Sequence, residues 1–130
     1  MGVNSPGTNA TGMRGIRGAI CLQRDDAREM AEAVMELLGA MLNRNAVRPE
    51  DVVSVLLTCT PDLRSAFPAA GARAFGLTDT PLMCAQEIDV DGALERVVRI
   101  LAHVESDIPR AQIQHVYLRG AEVLRQDLIP

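Results

Sequence analysis

Every cationic side chain in this protein is an arginine: there are thirteen, and no lysine, among 130 residues. Missing lysine removes a set of mechanisms. No Schiff base, no amine general base and no phosphate-loop lysine can operate here. Arginine supplies a permanent charge on a planar fork, which grips carboxylates two oxygens at a time. Codon bias explains the count, but it does not say where each arginine points. Arg17 is flanked by Gly15 and Gly18, and Arg73 follows Phe67-Pro68-Ala69. Arg99 stands in an apolar stretch, and Arg125 follows Leu124. The plain alternatives are a sheet-edge arginine paired with a carboxylate for Arg17 and a solvated charge for Arg73. For Arg99 the alternative is a helical pair with Glu95, four residues earlier.

Other candidates are few. Glu87 lies three residues after Cys84, where an apolar run meets a polar turn. Asp89 and Asp91 follow, but without the glycine-bearing loop of a calcium site. Tyr117 and Arg125 share parity on an expected last strand, so both would look to one side. Four serines and two histidines, His103 and His115, assemble no nucleophile triad. Cys21, Cys59 and Cys84 contain no CxxC and sit at no metal-ligand spacing from histidine. The expectation is therefore a site with no metal and no cofactor. The Arg14-Gly15-x-Arg17-Gly18 glycines are too close together for a dinucleotide loop.

The elements that must position these residues can be read from periodicity. Met13 to Leu22 reads as a strand, with Ile16, Gly18, Ile20 and Leu22 on one face and Arg17, Ala19 and Cys21 on the other. Asp26-x-x-Glu29 is a helix start. Met30, Val34, Leu37, Leu38, Met41 and Leu42 then form one apolar stripe at helical spacing. Val52 to Leu57 is nearly continuous and rich in β-branched residues, which predicts a strand buried on both faces. Ser65 to Phe75 reads as broken helix, restarted by Pro68 and capped by Gly76. Pro81 to Glu87 reads as a short strand. Asp91 reads as the cap of a second long helix with a core stripe of Leu94, Val97, Val98, Leu101 and Val104, which turns Arg99 away from the intrachain core. His115 to Leu124 closes the chain as strand, kinked at Gly120. The order is β, α, β, short helix, β, α, β. This is an α+β (mixed α/β) layer domain with too few helices for its sheet, so an oligomer is expected to cover the bare face.

Composition narrows the classes. A net charge of −4 with three aromatic residues and no tryptophan argues against nucleic acid, which needs a basic stripe and stacking platforms. No apolar run approaches the ~20 residues of a membrane span. Residues 1–12 are rich in Gly, Asn, Ser and Thr, lack a signal-peptide pattern and read as a disordered extension, leaving 13–130 as one domain. Unpaired thiols point to the cytoplasm.

Taken in order, several segments resemble a family. They are Arg14-Gly15-Ile16-Arg17-Gly18-Ala19, Thr60-Pro61-Asp62-Leu63, Phe67-Pro68-Ala69, Cys84-Ala85-Gln86-Glu87-Ile88-Asp89-Val90, and His115-Val116-Tyr117-Leu118 with Leu124-Arg125. They look like the small monofunctional chorismate mutases of the trimeric pseudo-α/β-barrel class. The resemblance implies a single-layer mixed sheet packed on one long helix plus shorter helices. It also implies a homotrimer with sites at the subunit interfaces, and a [3,3] Claisen rearrangement of chorismate to prephenate in aromatic amino-acid biosynthesis. By motif position, Arg17 and Tyr117 bind a substrate carboxylate, Arg99 donates to the ether oxygen, and Glu87 with Cys84 holds the ring hydroxyl. Phe67, Ala69, Arg73 and Leu124 line the pocket, and Arg125 stands near its mouth. One departure is Ala70, where the family often has lysine; Arg73, one helical turn on, could supply that charge. A rival from another class is a non-catalytic trimeric module that binds an aromatic-pathway carboxylate. It would need Arg17 and Arg73 but neither Glu87 nor Arg99.

Overall fold

The structure, a computed structural model, describes residues 11–128, with side chains through Arg125. The elements in chain order are β1 (Gly12–Cys21), α1 (Ala27–Arg44), β2 (Val52–Cys59), α2 (Pro68–Phe75), β3 (Leu82–Gln86), β4 (Val97–Ser106) and β5 (Val116–Leu118). Short 3-10 helices occupy Pro49–Asp51, Arg110–Gln112 and Ala121–Leu128. One five-stranded sheet has the order β3-β2-β4-β1-β5. β4 runs antiparallel to both β1 and β2, while the outer pairs β2/β3 and β1/β5 are parallel.

Both helices lie on one side of the sheet. α1 starts where the Asp26 side chain accepts the Glu29 N–H at 2.9 Å. Glu29 does not close the box onto Asp26; its carboxylate takes the Gln23 N–H instead. The stripe Met30, Ala33, Val34, Leu37, Leu38, Met41 and Leu42 is buried against the sheet. Each large aliphatic side chain so buried contributes about 1.5–3 kcal/mol. Gly18 permits the close seat of α1 on β1, because a Cβ there would stand 2.5 Å from the Met41 sulfur. At the far end, Asn45 is buried and its Nδ2 donates to the carbonyls of Met41 and Gln114, each at 2.8 Å. Its Oδ1 accepts the Gln114 N–H at 2.8 Å, which docks the approach to β5 onto the helix.

Four expectations are corrected. Residues 97–106, expected as the second long helix, form β4, and Asp91-Gly92 is a turn. Val98, Ile100, Ala102 and Val104 are buried on the helix side, while Arg99, Leu101, His103 and Glu105 face the other way. The β-branched run Val97-Val98 and the strict alternation of burial belong to period two; the helical spacing was coincident. β2 is buried on one face rather than two. Val55 and Leu57 are in the core, but Val53 is exposed and Leu56 half-buried. The last strand stops at Leu118, and Arg125 lies in a 3-10 helix, so shared strand parity with Tyr117 does not apply. Gly12 already pairs with Ser106, so strand begins inside the segment expected as disordered; residues 1–10 lie outside the described residues. The long helix α1, the break and restart at Pro68, and the cap at Gly76 (φ 127°) agree with the sequence reading.

Candidate active site

The face of the sheet away from the helices carries the candidate chemistry. Register places Ala85, Thr58, Arg99, Ala19 and Tyr117 in one lateral row, one residue from each of the five strands. Arg17 lies two residues before Ala19 on the same face, opposite Leu101. A cavity of about 170 Å³ opens there, lined by Arg17, Ala19, Leu56, Thr58, Arg99 and Tyr117 among others.

Arg99 is anchored by a carboxylate from the end of β3. Its Nε lies 3.0 Å from Glu87 Oε2 and 3.2 Å from Oε1. Thr58 Oγ1 donates to Glu87 Oε2 at 2.7 Å, and the Glu87 N–H donates to the Cys59 carbonyl at 3.0 Å. The Arg99 side chain is 48% exposed, so the ion pair is screened and adds only about 0.2–1 kcal/mol. Its effect is on orientation: the guanidinium is held over the open face, and among the described residues its other N–H groups have no hydrogen-bond acceptor. The alternative reading of Arg99, a helical pair with Glu95, does not hold: residue 99 is in a strand, and Glu95 takes Arg96 at 3.0 Å.

The Thr60-Pro61-Asp62 motif sets the phase of β4. Thr60 N–H donates to the Val97 carbonyl and the Val97 N–H donates to Thr60 Oγ1, both at 3.0 Å. The Asp62 carboxylate accepts the Arg96 N–H at 3.0 Å, where the chain takes φ 51°. The turn thus fixes which way Arg99 faces three residues on.

Arg17 is tied to the start of β5. Its backbone N–H donates to His115 Nδ1 at 3.0 Å. Burial, and then the Arg17 charge, push the imidazole below its usual 6.5, which keeps it neutral at physiological pH. Tyr117 packs with Leu124, Ala19, Val97, Ala121 and Cys21 in a small apolar cluster on the open face.

A second group of expected residues lies elsewhere. A groove of about 410 Å³ is lined by Cys59, Thr60, Ser65, Phe67, Pro68 and Cys84, with their neighbours. Cys84 is on the helix-facing side of β3, beside the core, and among the described residues makes no hydrogen bond to Glu87. Phe67 is 75% exposed at the head of α2. Ala69 is buried in the core, and Arg73 and Arg125 are exposed, bordering neither hollow. The sequence reading missed Thr58, the hydroxyl that holds Glu87, and His115, the anchor of Arg17. Thr58 carried a signal, being one of two polar residues, with Ser54, in a mostly apolar strand. His115 was seen only as a histidine without a nucleophile.

The match to a family model described as chorismate mutase type I covers residues 13–128. Over 117 residues the chain is 44% identical to chorismate mutase AroH of Bacillus subtilis, spanning 89% of this chain and 92% of that protein. It is 45% identical over 117 residues to chorismate mutase AroH of Thermus thermophilus, spanning 89% and 96% respectively. The fold superposes on a solved chorismate mutase from Clostridium thermocellum with a TM-score of 0.82 at 43% identity, covering 84% of this chain and 97% of that one. With a family model matched over residues 13–128 and relatives 44% and 45% identical over most of both chains, the chain belongs to the type I chorismate mutase family.

Proposed function

We propose that this protein converts chorismate to prephenate by a [3,3] rearrangement, with no covalent intermediate, metal or cofactor. The carrying observation is the pair of arginines, Arg17 and Arg99, lining one small cavity with Tyr117. The reaction breaks one C–O bond and forms one C–C bond within a single molecule. A protein can help it by selecting the compact diaxial conformer and by placing positive charge where the ether oxygen becomes negative. Arg17, with the Tyr117 hydroxyl, clamps one substrate carboxylate and so selects the conformer. Arg99, steadied by Glu87, donates to the breaking ether oxygen. The free lone pairs of Glu87 accept the ring hydroxyl.

Residues 13–130 form the catalytic domain, and the active assembly is a homotrimer in a pseudo-α/β barrel with sites between subunits. Two observations support this. The open face presents Met83 to solvent and leaves Leu56 and Leu101 half-buried, an apolar surface of the kind that marks an interface. Within one chain, Cys84, Phe67 and Arg73 stand apart from Arg99. A neighbouring subunit is then required to bring a second set of these residues over the open face. The three free thiols support a reducing, cytoplasmic setting, and among the described residues no helix is long and apolar enough to cross a membrane.

The test is to add purified protein to chorismate. Loss of its absorbance with prephenate as product is the expected result. Binding without turnover replaces the enzyme with a sensing module, and a gel-filtration mass near 14.0 kDa, one chain, removes the interfacial site.

A further inference from the structure

The hydrogen bond between the Arg17 N–H and His115 Nδ1 sits where the β1/β5 ladder begins. The ladder pairs Gly18 with Val116, Ala19 with Tyr117 and Ile20 with Leu118. One residue earlier on each strand, the imidazole takes the place of a backbone carbonyl. Nδ1 is the acceptor, so the ring must carry its proton on Nε2. Protonating Nδ1 would turn the acceptor into a second donor facing a donor. It would also put a cation beside the Arg17 guanidinium.

We propose that His115 is a positioning residue: as a neutral hydrogen-bond acceptor it fixes the Arg17 backbone, and hence aims the Arg17 guanidinium beside Tyr117 at the substrate. The proposal rests on the carboxylate-binding role of Arg17 given above. Other observations support it. Asn45 locks the preceding residue, Gln114, through both its N–H and its carbonyl, so the ring is presented from a rigid segment. The imidazole is half-buried. Arg17 on β1 is the charged group that acts on it among the described residues, and α1 meets this segment with the uncharged Asn45. Burial and that one arginine act in the same direction, and both favour the neutral ring. The Arg17 side chain itself is exposed on the open face, so the placement of its backbone, held by the β1/β4 ladder on one side and by His115 on the other, sets the base from which the guanidinium reaches out.

The experiment compares wild type, His115→Ala and His115→Asn across pH, reading kcat and KM separately. The Asn Oδ1 reaches the position of Nδ1, accepts the same N–H and does not titrate. His115→Ala is expected to raise KM about three- to tenfold, the worth of one hydrogen bond, with kcat little changed. Wild-type KM is expected to rise as pH falls below 6.5 through the imidazole's lowered value. His115→Asn is expected to keep the neutral-pH KM and to flatten that acid rise. An unchanged KM in folded His115→Ala overturns the proposal, and so does an acid rise that persists in His115→Asn. The Arg17 amide resonance of substrate-free enzyme gives an independent readout and should titrate together with the imidazole. If it does not, the hydrogen bond is not the link. If wild type shows no turnover at all, the activity reading fails while the amide titration still reports on the anchor.

Discussion

The two faces of the sheet obey different rules. On the helix side, β1, β2 and β4 contribute Ile16, Ile20, Val55, Leu57, Val98 and Ile100, each no more than 2% exposed. Their types are dictated by volume and by the stripe of α1, and almost any chemistry would be excluded there. The opposite face mixes Arg17, Arg99, Thr58, His103 and Ser54 with Leu56, Met83 and Leu101. No part of the described chain explains that mixture by packing. One face is closed by its own helices and the other holds the candidate site, and the two are joined only through shared backbones, residue by alternate residue.

Mutations can break this division in order of expected size. On the helix side, Leu37→Ala should cost about 2–5 kcal/mol in chemical denaturation, with kcat per folded molecule unchanged. A lowered kcat would mean that the faces are coupled. On the open face, Arg99→Ala should lower kcat by about 10²–10³ with little change in unfolding midpoint; near-wild-type turnover would remove it from the mechanism. Arg17→Ala should act mainly on KM, by about tenfold or more, as loss of a charge-assisted carboxylate contact does. Unaltered substrate affinity would move the carboxylate site elsewhere. Gly18→Ala probes the boundary. Its new methyl would push on Met41 and Leu37, so about 1–3 kcal/mol of stability should go while Arg17 stays in place.

The smallest effect concerns Asp25, outside both faces. Its carboxylate accepts the N–H groups of Arg64 and Ser65, each at 2.9 Å, and these bonds hold it below the ordinary 3.8. A carboxyl lowered in the folded state stabilises fully above 3.8, and that share is lost as pH falls through the folded value. The difference in unfolding midpoint between wild type and Asp25→Asn should therefore be present at neutral pH and vanish in strong acid. A difference that grows in acid would contradict the sign.

What the sequence revealed follows the same division. β1 and α1 were legible because each has one apolar and one polar face, which makes its period unambiguous. β4 was not. Leu101 sits on the open face yet is apolar, and Ala102 is a weak marker on the buried one, so Leu94, Val97, Val98, Leu101 and Val104 imitate a helix. β2 was over-read for the same reason, since Val53 and Leu56 are apolar but not core. Apolar residues outside the core blur the period by which a single chain is read. The site residues came from ordered motifs, not from periodicity. Their partners Thr58 and His115 could not be found that way, because a hydrogen bond between strands depends on register, and register is not local.

The lateral row from Ala85 to Tyr117 has one further consequence. Each step across it is one interstrand spacing, about 4.7–4.9 Å, set by the backbone ladder and indifferent to the side chains. The distance from Arg99 to Tyr117, two strands away, is thus quantised at roughly 9–10 Å at the backbone. Such a ruler has no fine adjustment. A lineage adapting this sheet to a longer or shorter ligand could not slide these two side chains closer by small packing changes. It would have to move an arginine to another strand or to the next position of the same face. The fold therefore offers new specificities in discrete steps, and between those steps it resists drift.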